Sequence, residues 1–458
     1  MRELSVDFVN YTPFPALAYQ ALDQHEQRFH VLALRTTSEI KTYGALQFIP
    51  EQAPLAVTDE YHGELNKSSV RQESDLAPFK PKCDVIVIGK AYAPAGRPAR
   101  RFTAGIRIAG PKQPRPLPPR PQGLNPTMPP SPAAIAPWQR KVIEARANPL
   151  PGPVILDRQL AVCGPRYWEK GSFGGWALTS PEPIVSLPLR YEYAYGGECR
   201  IGPEDPAGRQ VDPKYRLTAE QRREYPDGPE KAPVAHRTCE TNPVGMGFAE
   251  EWYLKAKKIK RVKAPQIDLP DDSVREFGKT CPAQGFGIIT KAWLPRRKLC
   301  GTVDDAFIKS GKPLPEDFDF AFWNGAHPDL HVPWLAGNEE ITLTNLCPHN
   351  MPGATRDKSG NTLLRFSLPG HQPFVLVRYE EGTIVSARIE LDTLVIEPDE
   401  KKVSCVYRLL LSVEPAVRVL EARLIFKDPQ QGEPDEIKTG SIMEGSQRAG
   451  VNRGARHG

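Results

Sequence analysis

The chain has 458 residues, of which 40% are hydrophobic and 25% are charged, a balance typical of globular proteins that excludes a wholly disordered chain. Its formal net charge is only +5, and no stretch approaches the roughly 18 apolar residues that span a bilayer, so neither nucleic-acid binding nor membrane insertion is indicated. The 49 prolines and 36 glycines interrupt long helices, which predicts short strands joined by many turns.

Residues 1–110 are predicted to form an N-terminal β-rich region. The segments RFHVLALRTTSEI (28–40) and CDVIVIGKAYAP (83–94) contain β-branched runs bounded by glycine, proline or charge, as strands do. The segment ARRFTAGIRIAG (99–110) alternates apolar and polar residues, which favours a half-buried strand.

The start of the chain and its cysteines bear on the compartment. Glu3 and Asp7 interrupt the first residues, which lack the apolar core of a secretory signal. The eight cysteines form no C-x-x-C pair and are expected to be reduced and mostly buried. We therefore expect a cytoplasmic protein.

A proline-rich insertion is predicted at residues 111–153. Its first 27 residues, 111–137, contain 11 prolines, so we expect an extended, polyproline-like or disordered segment. A short helix is predicted at WQRKVIEARAN (138–148). Composition alone leaves two roles open for the insertion, a docking arm or an inert spacer.

Residues 154–426 are predicted to form the β-rich remainder of the same protein, with one helix at FAEEWYLKAKKIKR (248–261). The polar, glycine-rich residues 427–458 are predicted to be a disordered tail. The predicted fold class is mainly β with a few short helices, a β-rich α+β protein with multiple antiparallel sheets.

Nucleotide-binding and hydrolase motifs fail at the positions that carry their chemistry. In GIRIAGPK (105–112), Pro111 stands where a phosphate-binding loop needs lysine. In KGSFGG (170–175), Lys170 replaces the first glycine of a nucleophile elbow. No cofactor and no catalytic residue are expected. The basic run LKAKKIKRVK (254–263) fits a solvated helix face better than a surface for nucleic acid or an acidic protein.

The segment NGAHPDLHVPW (324–334) raises the possibility of a metal site. His327, Asp329 and His331 occupy alternate positions, and in an extended strand their side chains would leave one face as metal ligands. Pro328 and Pro333 indicate a turn instead, with Asp329 placed to cap it. We therefore expect no metal, and a metal-dependent hydrolase using these residues, perhaps with His349, is kept as an alternative.

Six blocks in the same order resemble a large bacterial domain-of-unknown-function family whose members are encoded beside type VI secretion genes. The resemblance runs from about residue 10 to residue 412. The blocks are YHGELNKSSVRQESDLAPFKPKCDVIVIGKAYAP (61–94), PLRYEYAYGG (188–197), NPVGMGF (242–248), GFGIITKAWLPRRKLCGTVDDAF (285–307), PEDFDFAFWNGAHPD (315–329) and LAGNEEITLTNL (335–346).

The resemblance implies an adaptor or chaperone rather than an enzyme. Such a protein would bind a cognate type VI effector, often one linked to a spike-tip PAAR domain, and load it onto the trimeric VgrG spike. A structural part of the apparatus is the other alternative. Residues in the matched blocks, together with a nearby tryptophan, are candidates for partner binding, although several read as architectural first: Tyr195, Gly196, Gly197, Arg296, Arg297, Trp323 and Trp334.

Overall fold

The computed structural model describes residues 6–121, 131–271, 274 and 276–425. The protein is mainly β, which confirms the predicted fold class. The strands in the first half are β1 (Asp7–Asn10), β2 (Ala16–Leu22), β3 (Arg28–Ile40), β4 (Leu46–Phe48), β5 (Glu60–Tyr61), β6 (Val70–Gln72), β7 (Cys83–Val87), β8 (Lys90–Tyr92), β9 (Arg101–Ala109), β10 (Val154–Cys163), β11 (Tyr167–Lys170), β12 (Trp176–Leu178), β13 (Ser186–Pro188), β14 (Tyr195–Gly196) and β15 (Glu198–Ile201).

The second half adds further strands, several of them longer. They are β16 (Ala235–Thr238), β17 (Met246–Gly247), β18 (Arg261–Lys263), β19 (Ile267–Asp268), β20 (His331–Val332), β21 (Glu340–Thr344), β22 (Thr355–Arg356), β23 (Thr362–Ser367), β24 (Gln372–Tyr379), β25 (Ile384–Arg388), β26 (Glu390–Glu397), β27 (Lys402–Ser412) and β28 (Val417–Ile425). The α-helices of the described residues are α1 (Pro132–Ala147), α2 (Ala219–Arg223), α3 (Glu251–Ala256) and α4 (Asp305–Ser310).

Three large sheets organise the molecule. The largest has the order β2-β3-β27-β26-β7-β20, with β4 also paired to β3. A second sheet has the order β19-β10-β9-β21-β23-β22, and a third has the order β1-β28-β24-β25. Most pairings are antiparallel, whereas β26 with β7 and β1 with β28 are parallel. Both predicted β-rich regions contribute strands to each of these sheets, so they are interleaved in space.

The main hydrophobic core is shared by the three sheets. It runs from Phe14 to Ala422 along the chain and includes fully buried side chains such as Leu34, Ile106 and Leu394. Two smaller clusters surround Trp252 and Trp168. None of the eight cysteines, all of which lie in the described residues, forms a disulfide bond, and six of them are buried, as the sequence predicts.

The proline-rich insertion extends the hairpin made by β9 and β10. Gln113 and Leu150 form an antiparallel bridge just beyond these strands, so the two ends of the insertion lie side by side. Helix α1 begins at Pro132, which makes the prediction of an extended or disordered chain up to residue 137 wrong for its last six residues. Pro132 is tolerated because it lies in the first turn of the helix, where its missing N–H has no partner to lose, whereas Pro137 lies inside the helix and gives up one backbone hydrogen bond.

The predicted helix at 248–261 is wrong in its second half. Helix α3 ends at Ala256, Lys258 has a positive φ of 53°, and the chain then enters β18 at Arg261. A left-handed residue cannot continue a right-handed helix, so the basic run divides between a helix end, a turn and a strand. The predicted disordered tail, 427–458, lies outside the described residues, as do residues 122–130 of the insertion.

Candidate interaction surface

A buried carboxylate on β7 holds the segment after residue 323 against the largest sheet. The side chain of Asp84 is fully buried, and its oxygens accept from Asn324 Nδ2 at 3.1 Å, from Gly325 N at 3.0 Å and from Ala326 N at 3.3 Å. Burial alone would raise the pKa of Asp84, but the neighbouring Lys80 and these hydrogen bonds outweigh it and lower the pKa. Asp84 therefore stays charged and fixes the backbone of this segment.

Lys80 connects this carboxylate to β26 and to a tryptophan. Its ammonium lies 2.7 Å from Asp84 Oδ2 and donates to Thr393 Oγ1 at 2.8 Å. Its backbone carbonyl accepts from Trp334 Nε1 at 3.0 Å. A charged pair buried to this degree needs every donor to be satisfied, and here the arrangement also fixes the indole of Trp334.

Arg296 lies beneath the aromatic residues rather than on the surface. It is 3% exposed, and its Nη2 donates to Glu73 Oε2 at 3.0 Å in a two-pronged pair. Its other donors reach the carbonyls of Ile289 and Phe322 at 2.8 Å and 2.6 Å. Arg296 is therefore an architectural residue that orients the turn bearing Phe322.

The aromatic surface is a continuous set of ring contacts on the outside of this framework. A short 3₁₀ turn, Phe320–Trp323, is capped by Asp319, whose carboxylate accepts from Ala321 N at 2.8 Å. We use the name aromatic surface for Phe79, Phe318, Phe320, Phe322, Trp323 and Trp334. Apart from the buried Phe318, these side chains are half-buried.

Ring contacts connect the two tryptophans that the sequence singles out. Trp323 lies 5.4 Å from Phe322, and Phe322 lies 5.6 Å from Phe318. Phe318 contacts Phe320 at 5.4 Å. Phe79 lies 5.9 Å from Phe320 and 6.1 Å from Trp334, which completes the path. Edge-to-face contacts at these distances are a favourable packing geometry for aromatic rings.

Charged groups border the aromatic surface. The ammonium of Lys291 lies 6.0 Å from the centre of the Trp323 ring and 2.8 Å from Asp59 Oδ2. Rigid aromatic side chains bordered by charge are the composition of protein–protein interfaces. This composition makes the aromatic surface the candidate site for partner binding.

The predicted residues Tyr195, Gly196 and Gly197 form a separate, tightly packed joint. Asn242 Nδ2 donates to the carbonyl of Tyr195 at 3.0 Å, and Gly197 N donates to Asn242 O at 2.8 Å. Gly196 has a φ of 154°, and a Cβ there would lie 2.1 Å from Asn242 O. Only glycine fits, so this block is architectural.

Arg297 connects this joint to the segment that bears Arg296. Its Nη2 donates to Glu240 Oε1 at 2.9 Å, and the backbone of Glu240 accepts from Leu294 N at 2.8 Å. Arg297 is about half exposed, so it belongs to the outer surface near the joint. Of the seven predicted residues, Trp323 and Trp334 lie on the aromatic surface, with Arg296 directly beneath it.

In the segment with alternating histidines, the three predicted ligands contact protein groups. His327 donates from Nε2 to Ala283 O at 3.1 Å and accepts from Asp329 N at 3.2 Å, so both ring nitrogens are used. His331 Nε2 contacts Ala326 O at 2.9 Å, and Asp329 pairs with Arg158 at 2.8 Å. His327, not Asp329 as predicted, caps the 3₁₀ turn.

The rest of the described chain agrees with this geometry. Across residues 6–121, 131–271, 274 and 276–425, no group of three or more histidine, cysteine, aspartate or glutamate side chains could hold a metal ion. The fourth proposed ligand, His349, packs its ring against Gly96 instead. The ligand set on which the hydrolase alternative depends is therefore not assembled.

Sequence reasoning missed Asp84, Lys80 and Phe79. A charged residue inside the apolar run CDVIVIG was a usable signal, because a buried carboxylate must have partners that fix it. No comparable signal marked Phe79, whose partners Phe320 and Trp334 lie more than 200 residues away in the chain.

In the described part of the chain, no helix has the length and apolar character needed to cross a membrane. Comparison with known proteins found no match among curated proteins and none among solved structures. One family does match, over residues 25–115 and 132–408, and the gap between these ranges falls within the proline-rich insertion. Since the match covers well over half of the sequence, the chain belongs to the DUF2169 family, described as an uncharacterized protein conserved in bacteria.

Proposed function

We propose that this chain is a cytoplasmic type VI secretion adaptor that binds a cognate effector, keeps it competent for loading, and presents it to the spike. The effector would be linked to a PAAR domain, and the spike component would be VgrG. The six blocks of resemblance motivate the secretion context. The observation that carries the binding function is the aromatic surface between Trp323 and Trp334.

The aromatic surface supports protein binding because its rings are ordered before a partner arrives. Trp334 is fixed by its hydrogen bond to Lys80 O, and the turn that bears Phe322 is fixed by Arg296. A preorganised surface loses little side-chain entropy on association. Half-buried aromatic side chains also provide the anchors that dominate binding energy in protein interfaces.

Because an adaptor hands its effector on, its affinity for the effector needs to be specific but not extremely high. An adaptor must release its cargo when the loaded spike leaves the cell, so the complex must dissociate on the time scale of assembly. Interfaces of standard size with a few aromatic anchors span micromolar to nanomolar affinity, which meets this requirement.

The adaptor proposal is tested by affinity purification of the tagged full chain from a type VI-secreting cell. We expect an effector or a VgrG or PAAR protein to be recovered in stoichiometric amounts. The proposal is contradicted if no effector, VgrG protein or PAAR protein is recovered.

Fractionation separates the adaptor from the structural-component alternative. An adaptor should remain in the producing cell after secretion, whereas a structural component should be found in the secreted spike fraction. The hydrolase alternative is addressed on the same purified protein by elemental analysis of the wild type and His331→Ala. Stoichiometric zinc or manganese that is lost in the variant would favour that alternative.

A further inference from the structure

Strand β2 is an open edge of the largest sheet. It pairs with β3 on one side, and the sheet order ends there. Its sequence, ALAYQAL, contains no charged residue, and Leu17 and Leu22 are 40% and 37% exposed. Natural proteins usually protect such an edge with charge, proline or a bulge, because a long uncharged edge is a template for another strand.

The hydrogen-bond pattern shows which backbone groups of β2 are free. Asp23 N donates to Gln27 O at 3.1 Å, and Arg35 N donates to Pro15 O at 2.9 Å, both in register with the β2–β3 pairing. These bonds mark the odd-numbered residues as the ones bonded to β3, since such pairs alternate in an antiparallel ladder. The outward N–H and C=O groups therefore belong to Ala16, Ala18, Gln20 and Leu22.

No hydrogen bond from the rest of the described chain reaches these outward groups. The backbone bonds beyond the β2–β3 ladder involve residues before and after β2, and the one side-chain bond of the strand is from Tyr19 Oη to Ala77 O at 2.8 Å. Leu17, Gln20 and Leu22 are exposed along the strand. A row of alternate donors and acceptors is therefore available for pairing.

We propose that two copies of this chain pair through β2, antiparallel, about a two-fold axis at Tyr19. In this register every outward-facing residue lies opposite an outward-facing residue, so the outward N–H groups of each strand face the outward C=O groups of the other. Leu22 lies opposite Ala16 of the second copy and Leu17 lies opposite Ala21, so both leucines face small side chains, while Tyr19 lies opposite Tyr19 as a cross-strand aromatic pair. No charge faces a like charge.

The neighbouring registers are less favourable. A shift by one residue would set the outward groups of one strand against the inward groups of the other. A shift by two residues keeps the hydrogen bonds in phase but sets Leu17 against Asp23 or brings Pro13 and Pro15 into the ladder. The register centred on Tyr19 is the one in which all seven residues pair.

The pairing joins two seven-stranded sheets edge to edge and adds about eight backbone hydrogen bonds, one for each outward N–H of the two strands. This is a small interface, and interfaces at the lower end of the size range are weak and transient. The expected dissociation constant is therefore about 1–100 µM. The dimer does not depend on the adaptor proposal.

Sedimentation velocity of the full chain, from about 2 to about 200 µM, tests the dimer. We expect the wild type to shift from monomer to dimer. Ala18→Pro removes an outward donor that makes no bond to β3, and Gln20→Lys places charge on the edge. Each should weaken dimerisation by about tenfold or more.

A matched control is available on another open edge. Ser386 lies on β25, the outer strand of the third sheet. The bond from Tyr379 N to Thr383 O shows that odd-numbered residues of β25 are bonded to β24, so the N–H of Ser386 points outward. Ser386→Pro and Ser386→Lys should leave the dimer unchanged. A chain that stays monomeric at about 200 µM would overturn the proposal and leave the edge to a strand of another protein. Equal weakening by the β2 and β25 changes, or none by either, would overturn it as well.

Discussion

At the scale of single residues, a glycine and several buried charged residues of the described chain position the backbone. Asp84, Lys80 and Arg296 are each buried; Asp84 and Arg296 bond to backbone groups of other segments, and Lys80 pairs with Asp84 and accepts from the Trp334 indole through its own carbonyl. Removing one member of such a set leaves a buried charge without its partner, which is more costly than the loss of a surface ion pair.

Gly196 provides a direct test of this architectural role. Gly196→Ala forces a Cβ to within 2.1 Å of Asn242 O, so we expect a loss of unfolding free energy of about 1–3 kcal/mol or more. Gly202→Ala is the matched control, because no atom lies within 4 Å of a Cβ there. Urea unfolding of both variants measures the effect, and equal stability of the two would refute the proposed constraint.

His62 predicts how stability responds to acid. Burial, aided by Arg190, lowers the pKa of His62 from 6.5 to about 4. As pH falls from 6.5 toward 4, the unfolded chain takes up a proton that the folded chain refuses, so the free energy of unfolding should decrease across this window. Urea titrations of the wild type should show this decline.

The variant His62→Gln should show a shallower decline across the same pH range, because it removes one of the groups that resist protonation. His25→Gln changes an exposed histidine and should keep the slope of the wild type. If the slope of His62→Gln equals that of the wild type, another group causes the acid sensitivity.

At the scale of elements, strand existence is predicted well and strand partners are not. The run 28–40 coincides with β3, because β-branched and apolar residues predominate from Phe29 to Ile40 and no glycine or proline interrupts them. The run 83–94 divides into β7 and β8 at Gly89, as its composition allows. That β7 pairs in parallel with β26, some 300 residues later, is a tertiary property with no local signal.

The proline-rich insertion shows the same difference between local signals, which the sequence contains, and tertiary contacts, which it does not. Its composition predicts an interruption, and the structure shows that the interruption is closed at its base by the bridge between Gln113 and Leu150. Replacing residues 114–149 with Asn-Gly should therefore preserve the β9–β10 hairpin. We expect the unfolding free energy to change by less than about 1 kcal/mol, because loop length itself has a small effect on stability.

Partner binding by this shortened chain then distinguishes the two possible roles of the insertion, a docking arm or an inert spacer. Affinity equal to that of the wild type would identify a spacer, and a loss of affinity would identify a docking arm. A large loss of stability would contradict the hairpin account.

The aromatic surface predicts which side chains matter for binding. Phe320→Ala removes the ring that joins Phe318 to Phe79, and we expect the affinity for the recovered partner to fall by about tenfold or more. The control is Phe173→Ala, which removes a fully exposed ring at the turn between β11 and β12 that is not part of the aromatic surface. Isothermal titration of both variants measures the difference, and equal affinities would exclude the aromatic surface.

At the scale of the whole molecule, the three large sheets are built from strands far apart in the chain. This explains why the residues of the candidate site can be predicted from the sequence while their spatial arrangement cannot. The two tryptophans and Arg296 can be singled out in the sequence, but the sequence does not show that they lie together. Their common location depends on contacts of the 296–334 segment with Glu73, Phe79 and Asp84, which form only after distant strands have paired. The apparent metal ligands show the converse, since their chemistry is visible in the sequence and their hydrogen bonds to carbonyls are not.

Effector secretion by a strain that lacks this chain is the most direct test of the adaptor account. We expect release of one effector to stop in the deletion strain, to return with the wild-type chain and to remain low with Phe320→Ala, while other effectors are released normally. Undiminished release of every effector in the deletion strain would contradict the account.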